Sequence, residues 1–231
     1  MFFKKYGVGI VTLLTLVSGV AVGHYKIFPY EQIQWLKYKI VQTNGHYNER
    51  VELFTRSNPK SLYVMLGDSI TEEGDWNALM KRDDILNRGI SGDTTTGVLR
   101  RMEYLGSQPK ICFIMIGVND LSRGSSVEEV FDNYVKIINT LTSQKITPVI
   151  QSILLTDRPG LNSKITVLNQ KLKQFSRSKN IRFVDLNKKL APNGVLLDTY
   201  SEDGQHLNAK GYTIWAEAVK GYMQYSRELR R

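Results

Sequence analysis

Short apolar runs alternate with amphipathic segments from about residue 59 to the end of the chain. Five of these runs have the length and continuous hydrophobicity of buried parallel strands. They are residues 61–66, a weaker run before residue 87, and residues 110–116, 148–154 and 181–186. Strands joined by helical segments in this order predict an α/β fold with a five-stranded parallel sheet and helices on both faces.

Between the runs, apolar residues recur at the spacing of one helix face. Ser126, followed three residues later by Glu129, predicts a capping box at the start of the first such segment. The apolar stripes are Val127, Val130, Phe131, Tyr134, Ile137, Ile138 and Leu141; Ile165, Leu168, Leu172 and Phe175; and Tyr212, Trp215, Ala218, Val219 and Tyr222. We therefore predict one globular domain over residues 59–231.

The first 25 residues form a segment of a different kind. Lys4 and Lys5 precede residues 6–25, a stretch of 20 residues without Asp, Glu, Lys or Arg, and about 20 apolar residues cross a bilayer. The pattern predicts either a membrane anchor or a signal peptide cleaved after Gly23. Residues 26–58 are predicted as a juxtamembrane segment with an amphipathic helix, or with a helix that packs on the main domain.

The two N-terminal lysines also predict the orientation of the chain, because positive residues stay on the cytoplasmic side of a membrane. We expect an exported protein. It is either a single-pass protein with its domain on the non-cytoplasmic side, or a periplasmic or secreted protein after cleavage.

Composition narrows the chemistry further. The chain has 31 Lys and Arg against 22 Asp and Glu, a formal charge of +9. Without a recognition motif this excess does not indicate a nucleic-acid partner. The single cysteine, Cys112, excludes an intramolecular disulfide framework, and only three histidines occur, so we expect no metal site.

Candidate chemistry follows the predicted strands, at the sheet edge where ligands bind in parallel α/β folds. Asp68 and Ser69 follow the first strand; a serine here exposes its hydroxyl among free N–H groups, or one of the pair simply caps a helix. Gly92 follows the second strand, in a loop that either aims an N–H outward or makes an ordinary turn. Asn119 follows the third strand, where its amide either donates to an oxyanion or serves a turn.

Asp203 and His206 lie just before the terminal helix. In a loop, this three-residue spacing lets the carboxylate reach one imidazole nitrogen and leaves the other nitrogen free as a base. His206 is the only histidine within the predicted domain, which makes it the sole candidate of its type. We interpret His46 as a surface turn residue.

Together, four segments resemble, in order, the four sequence blocks of the SGNH hydrolase superfamily, also called the GDSL esterase/lipase family. They are GDSIT around Ser69, NRGISGDTT around Gly92, GVND around Asn119 and DGQH at residues 203–206. The chain is most similar to the small platelet-activating-factor acetylhydrolase-like and carbohydrate acetylesterase-like branches. The resemblance implies a flavodoxin-like three-layer α/β/α sandwich and ester hydrolysis without a metal or organic cofactor.

The resemblance also assigns roles to residues. Ser69, His206 and Asp203 are the expected catalytic triad, and Ser69, Gly92 and Asn119 are the expected oxyanion donors. Arg158, in the loop after the fourth strand, is a candidate for binding a polar or anionic part of the substrate, or a solvated surface arginine.

The expected activity is that of an exported serine esterase acting on short-acyl esters, such as acetyl esters of a carbohydrate or similar polar alcohol. The domain has no long insertion that could form a lid, which favours an open site. Alternatives are a lysophospholipase or lipase at the membrane, and an O-acyltransferase that uses the same serine. A non-enzymatic binding module would require all four segments to be retained by coincidence. The oligomeric state stays open.

Overall fold

A five-stranded parallel sheet forms the centre of the protein. The computed structural model describes residues 45–57 and 59–224. The strands are Tyr63–Gly67 (β1), Ile85–Gly89 (β2), Ile111–Met115 (β3), Thr147–Gln151 (β4) and Arg182–Val184 (β5). They lie in the order β2-β1-β3-β4-β5, and every pair is parallel. The predicted α/β fold is confirmed, and the strand order is that of flavodoxin-like sheets.

Helices flank this sheet. Among the described residues they are Gly45–Arg56 (α1), Ser69–Glu72 (α2), Trp76–Met80 (α3), Thr95–Arg100 (α4), Val118–Ser122 (α5), Val127–Ser143 (α6), Pro159–Ser178 (α7), Asn187–Leu190 (α8) and Ala209–Gln224 (α9). The three amphipathic stripes of the sequence correspond to α6, α7 and α9. Helix α6 begins as predicted, because the Ser126 hydroxyl accepts a hydrogen bond from the Glu129 N–H at 3.1 Å.

Strands β1 and β3 lie inside the sheet, and every one of their residues is buried. This burial explains why both strands are continuous apolar runs rather than alternating patterns. In the strand register, Gly67 lies opposite Gly89 on one side and opposite Met115 on the other. The carboxyl ends of β1, β2 and β3 are therefore level, and the three loops that follow them leave the sheet at one edge.

The first of these loops packs tightly against the end of β2. A Cβ atom at Gly89 would lie 2.2 Å from the backbone nitrogen of Glu72, so only glycine fits there. Asn87 donates its side-chain amide to the carbonyl oxygens of Thr71, Glu72 and Gly74, at 3.1, 2.8 and 3.1 Å. These contacts hold the end of helix α2 in place.

The C-terminal helix α9 is attached to the same region. Trp215 is fully buried and contacts Trp76 of α3 edge to face, with ring centroids 4.7 Å apart. The Tyr212 hydroxyl donates to the carbonyl oxygen of Ile70 in α2 at 2.8 Å. Because α9 is fixed against α2 and α3, the loop just before α9 is brought to the end of β1.

Helix α1, from its second residue onward, belongs to the same compact unit, which begins at His46. Its Phe54 is 4% exposed, and the guanidinium of Arg88 lies 4.3 Å from the centroid of the Phe54 ring. The predicted anchor or signal peptide at 1–25, and the part of the juxtamembrane segment at 26–44, lie outside the described residues. Within residues 45–57 and 59–224, no helix has the length and apolar character needed to cross a membrane.

Candidate active site

Ser69 lies at the point where β1 gives way to helix α2. The sequence left open whether Asp68 or Ser69 caps this helix, and the structure assigns the cap to Asp68, whose carboxylate accepts from the Ile70 N–H at 3.1 Å. The Ser69 hydroxyl is therefore available for another contact. Its Oγ lies 2.9 Å from Nε2 of His206, a residue 137 positions further along the chain.

The imidazole of His206 is held from its other side by Asp203. Nδ1 of the ring lies 2.6 Å from Oδ2 of Asp203. The second carboxylate oxygen accepts the backbone N–H groups of Gln205 and His206 at 2.9 and 2.7 Å. If Nδ1–H donates to Asp203, Nε2 has a free lone pair that accepts the Ser69 O–H.

Hydrogen bonding also keeps Asp203 ionised. Partial burial works against the charged form, but the donors from the His206 ring and from the backbone of His206 and Gln205 outweigh it and lower the pKa of Asp203. A carboxylate that stays negative stabilises a positive charge on the neighbouring imidazole.

Gly92 lies at the level end of β2, within a tight turn. The N–H of Asp93 donates to the carbonyl of Ile90 at 3.0 Å, and Gly92 has a φ of +75° whereas Ser91 does not have a positive φ. These features are typical of a type II turn, which needs glycine at its third position. The Ile90 N–H donates to the carbonyl oxygen of Gly67 at the end of β1 at 3.2 Å. The central peptide of the turn carries the Gly92 N–H.

Asn119 lies in helix α5, directly after β3, and is 3% exposed. Its amide nitrogen donates to the carbonyl oxygen of Asp93 at 2.9 Å. This contact ties the loop after β3 to the loop after β2 and fixes the orientation of the amide, which has a second N–H to donate.

A buried ion pair lies behind these loops, and the sequence did not predict it. Arg101 and Asp93 are each 1% exposed, and Nη2 of Arg101 lies 2.6 Å from Oδ2 of Asp93. Arg101 also donates to the carbonyl oxygens of Arg88 and Gly67 at 2.9 and 3.1 Å. One side chain thus joins the ends of β1 and β2 to the turn that contains Gly92. In the sequence, Arg101 is one of two adjacent arginines and carries no distinguishing signal.

A second buried carboxylate, Asp120, supports the helix that follows Gly92. Both of its oxygens accept the Thr95 N–H at 3.1 Å, and one accepts the Thr95 hydroxyl at 2.6 Å. Burial raises the pKa of Asp120 despite these hydrogen bonds. Asp120 adjoins Asn119 in the GVND segment, but the sequence does not distinguish its supporting role from that of an ordinary turn residue.

The pKa of Asp68 is also shifted. Burial raises its pKa to about 7; the Ile70 N–H opposes this shift, and the negative charge of Asp93 adds to it. Asp68, which caps the helix that begins with Ser69, therefore keeps its carboxyl group protonated at pH values well above the usual pKa of an aspartate.

Arg158 is half-buried and lies against the loop that carries the Asp203–His206 pair. Its guanidinium donates to the side-chain oxygen of Gln205, and the neighbouring Asp157 N–H donates to the Gly204 carbonyl at 2.8 Å. The structure thus places Arg158 beside the site, bound to a side chain of the loop between Asp203 and His206. Contact with a substrate stays a prediction.

The side chain of His46 is 48% exposed, as expected for a surface residue, but the interpretation of His46 as a turn residue was wrong. His46 lies in helix α1, and its Nε2 is 3.0 Å from each carboxylate oxygen of Glu72. The interpretation failed because it placed α1 outside the folded domain. Glu72 is in the same helix as Ser69, so α1 contacts the element that carries the serine.

The parallel sheet and these loops define an α/β protein with a hydrogen-bonded Ser–His–Asp chain at the switch point between β1 and β3, where the strand order reverses. The model of the GDSL-like lipase/acylhydrolase family matches residues 65–214. The chain therefore belongs to this family, as the four sequence blocks predicted.

Three further proteins show how the chain relates to known ones. It is 29% identical over 178 residues to an N-acylneuraminate cytidylyltransferase of Streptococcus agalactiae serotype III (strain NEM316), a match that covers 73% of this chain and 41% of that protein. The chain thus spans about two fifths of the length of the curated relatives it matches.

Two solved structures share its fold. One, from Streptococcus pneumonia, is provisionally named a platelet activating factor and has a TM-score of 0.72 and 24% identity, covering 83% of this chain and 98% of the other. The other is the acetyl xylan esterase AlAXEase, with a TM-score of 0.61 and 19% identity, covering 69% and 98%. At these identities the likeness concerns the fold.

Proposed function

We propose that this protein hydrolyses carboxylic esters through an acyl-serine intermediate on Ser69. The observation that carries the proposal is the 2.9 Å contact between Ser69 Oγ and His206 Nε2, in a chain that continues to Asp203. His206 removes the hydroxyl proton as Oγ attacks the ester carbonyl, and Asp203 orients the ring and stabilises the imidazolium.

The negative charge that develops on the carbonyl oxygen needs fixed donors. The backbone N–H groups of Ser69 and Gly92 and the side-chain amide of Asn119 supply them. Because Asn119 is held by the Asp93 carbonyl and Gly92 by its turn, these donors need little reorganisation during the reaction, which is the source of their catalytic value.

The second half of the cycle reverses the proton transfers. The imidazolium of His206 gives its proton to the departing alcohol. The neutral ring then removes a proton from a water molecule that attacks the acyl group on Ser69, and the carboxylic acid leaves as Ser69 regains its proton.

For the substrate, we propose a short-acyl ester, such as an acetyl ester, of a carbohydrate or similar polar alcohol. The strand–helix connections after β1, β2 and β3 are short, which favours an open site that reaches a small acyl group on a large alcohol. Two of the similar proteins carry names that refer to sugars, N-acylneuraminate and xylan. The basic charge of the chain suits an acidic or polar sugar.

We also propose that the protein is exported, with its hydrolase domain on the non-cytoplasmic side of a membrane. The support is the pattern of residues 1–25, with its two lysines and its uncharged stretch.

The decisive experiment uses the full-length chain and a Ser69→Ala variant, with Ser163→Ala as the matched control at an exposed serine of α7. We expect Ser69→Ala to lower the turnover of p-nitrophenyl acetate by about 10⁴-fold or more and to abolish labelling by a fluorophosphonate. The control should keep both. Parental turnover by Ser69→Ala would refute the mechanism.

A panel of esters then identifies the substrate. It should contain acetylated xylan, O-acetylated N-acetylneuraminate and long-chain lysophospholipids, with and without a sugar acceptor. We expect kcat/KM to be highest for an acetylated sugar. A preference for lysophospholipids would instead indicate a lipase at a membrane, and acyl transfer to the added sugar in preference to water would indicate an acyltransferase.

A further inference from the structure

Glu72 lies one turn after Ser69 in helix α2 and is not part of the proposed catalytic set. Its side chain is 17% exposed. One carboxylate oxygen, Oε2, accepts the backbone N–H of Ser91 at 2.6 Å. This contact joins the residue that follows the first sequence block to the second block, because Ser91 directly precedes Gly92 in the loop after β2.

The position of Ser91 in its turn gives the contact its importance. In a turn from Ile90 to Asp93, the only internal backbone hydrogen bond joins these two end residues. The Ser91 N–H is outside that bond and needs another partner. Glu72 supplies a charged acceptor, which makes a shorter and stronger hydrogen bond than a neutral one.

A residue from a different part of the chain binds the other end of the turn. Arg123, which follows helix α5, donates its guanidinium to the carbonyl oxygen of Gly92. Glu72 therefore fixes the peptide before the central one and Arg123 fixes the peptide after it. The central peptide between them carries the Gly92 N–H, so both contacts limit the direction in which this N–H points.

Helix α1 in turn holds Glu72. Arg50 Nε lies 2.9 Å from Oε1 of Glu72, and His46 Nε2 lies 3.0 Å from both oxygens. These cationic and polar groups keep the carboxylate directed toward Ser91. The matched family region begins at residue 65, so the two α1 residues that hold Glu72 lie outside it.

We propose that Glu72 is a positioning residue for ester hydrolysis: by binding the Ser91 N–H, it aims the Gly92 N–H at the developing oxyanion. The proposal rests on the role of Gly92 in the proposed function. Glu72 acts through this turn rather than on the reacting atoms, and its effect belongs to kcat, because an oxyanion is present only near the transition state.

The first test compares two neighbouring glutamates. We expect Glu72→Ala to lower kcat for p-nitrophenyl acetate by about tenfold, less than the loss of a whole oxyanion donor, with KM within about twofold of the parent. Glu72→Gln keeps a neutral acceptor and should recover most of the loss. Glu73→Ala, which removes the same charge from an exposed neighbour, should behave like the parent.

The second test removes the donor instead of the acceptor. Ser91→Pro deletes the N–H at a turn position that favours proline, whereas Ser91→Ala keeps the N–H and is the matched control. We expect Ser91→Pro alone to lower kcat. Adding Glu72→Ala to Ser91→Pro should then cause no further loss, because the two changes remove the same hydrogen bond.

Two results would overturn the proposal: an unchanged kcat in Glu72→Ala, or a tenfold loss that is repeated in full in the Ser91→Pro background. The proposal would also be contradicted if Glu72→Ala and Glu72→Gln lost activity only in proportion to their unfolded fraction. Failure of the proposed function itself is seen separately, since Ser69→Ala would then retain turnover and the parent would not react with a fluorophosphonate.

Discussion

The two halves of the candidate site are built in different ways. On the nucleophile side, Asp68, Ser69 and Asn119 are 1–5% exposed, and the level ends of three strands position them. On the other side, the side chains of Asp203 and His206 are 55% and 30% exposed, and hydrogen bonds among near neighbours in sequence hold them.

This difference shows in the acidity of the carboxyl groups. Burial raises the pKa of Asp68 to about 7, whereas hydrogen bonds prevail over weaker burial at Asp203 and lower its pKa. In the buried half, removing polar groups from water is unfavourable, but these groups are held in fixed positions. The exposed half keeps one carboxylate ionised beside the histidine that gains and loses a proton in the proposed mechanism.

The largest effect is expected from removing the guanidinium of Arg101, which lies in the buried half. Arg101→Met leaves Asp93 as an unpaired buried carboxylate, and we expect a loss of about 3–5 kcal/mol in the free energy of unfolding, measured by urea denaturation. The double variant Asp93→Asn/Arg101→Met removes the stranded charge and should recover part of the loss. If the free energy of unfolding of Arg101→Met lies within about 1 kcal/mol of the parent value, the ion pair does not hold the buried half together.

The next largest effect concerns Asn119, the proposed side-chain oxyanion donor of the buried half. We expect Asn119→Ala to lower kcat by about 10²–10³-fold with little change in KM, measured with p-nitrophenyl acetate. Asn193→Ala, at an exposed asparagine, is the control. An equal loss in both variants, or a change confined to KM, would contradict the role assigned to Asn119.

The opposite pKa shifts predict opposite pH effects on stability. Because folded Asp68 keeps its proton up to about pH 7, the folded state binds more protons than the unfolded one, and the free energy of unfolding falls as the pH rises toward 7. We expect Asp68→Asn, which preserves the cap, to remove about 2 kcal/mol of this fall between about pH 5.5 and 7. Unfolding measured across that range in both proteins checks the expectation.

Asp203→Asn provides the contrasting measurement. Since the pKa of Asp203 is lowered on folding, ionised Asp203 stabilises the protein above its ordinary pKa, and this contribution disappears as the pH falls through the folded value. The variant should therefore be less stable than the parent at neutral pH and equal to it in strong acid. The same sign of effect for Asp68 and Asp203 would remove the distinction between the two halves.

The smallest expected effect is at Arg158, at the edge of the exposed half. We expect Arg158→Ala to raise KM for an acetylated acidic sugar by about two- to fivefold, as for a partly exposed charge contact, and to leave KM for p-nitrophenyl acetate unchanged. An equal change in kcat for both substrates would indicate instead that Arg158 only supports the loop through Gln205.

Most of the fold and of the proposed site could be predicted from the sequence. The residues that hold the site in place could not. All five strands were predicted from their continuous apolar runs, and the three long helices were predicted from their periodicity. The start of helix α2 was one of two alternatives left open at Asp68 and Ser69, and the short helices α3, α5 and α8 were not predicted. Helices of four to six residues are too short to show a helical pattern. Ser69, Gly92, Asn119, Asp203 and His206 were found because each follows an apolar run or precedes a helix in a distinctive short segment.

The supporting residues escaped prediction for a common reason. Arg101, Glu72 and Asp120 occur in polar stretches in which a charged side chain usually faces solvent. Their partners are distant or of ordinary type: the carbonyl of Gly67, the N–H of Ser91 and the hydroxyl of Thr95. No local spacing reveals such contacts, so the sequence cannot distinguish them from surface charges.

The amino-acid sequence by itself determined the alternation of strands and helices, and with it the edge at which the loops meet, because hydrophobic periodicity reports local burial. Only the tertiary structure decided that Ser69 and His206 touch, that Asp68 is the cap and Ser69 is not, and that helix α1 reaches Glu72. These contacts join positions far apart in the chain, and their geometry depends on how α9, α1 and the sheet pack together.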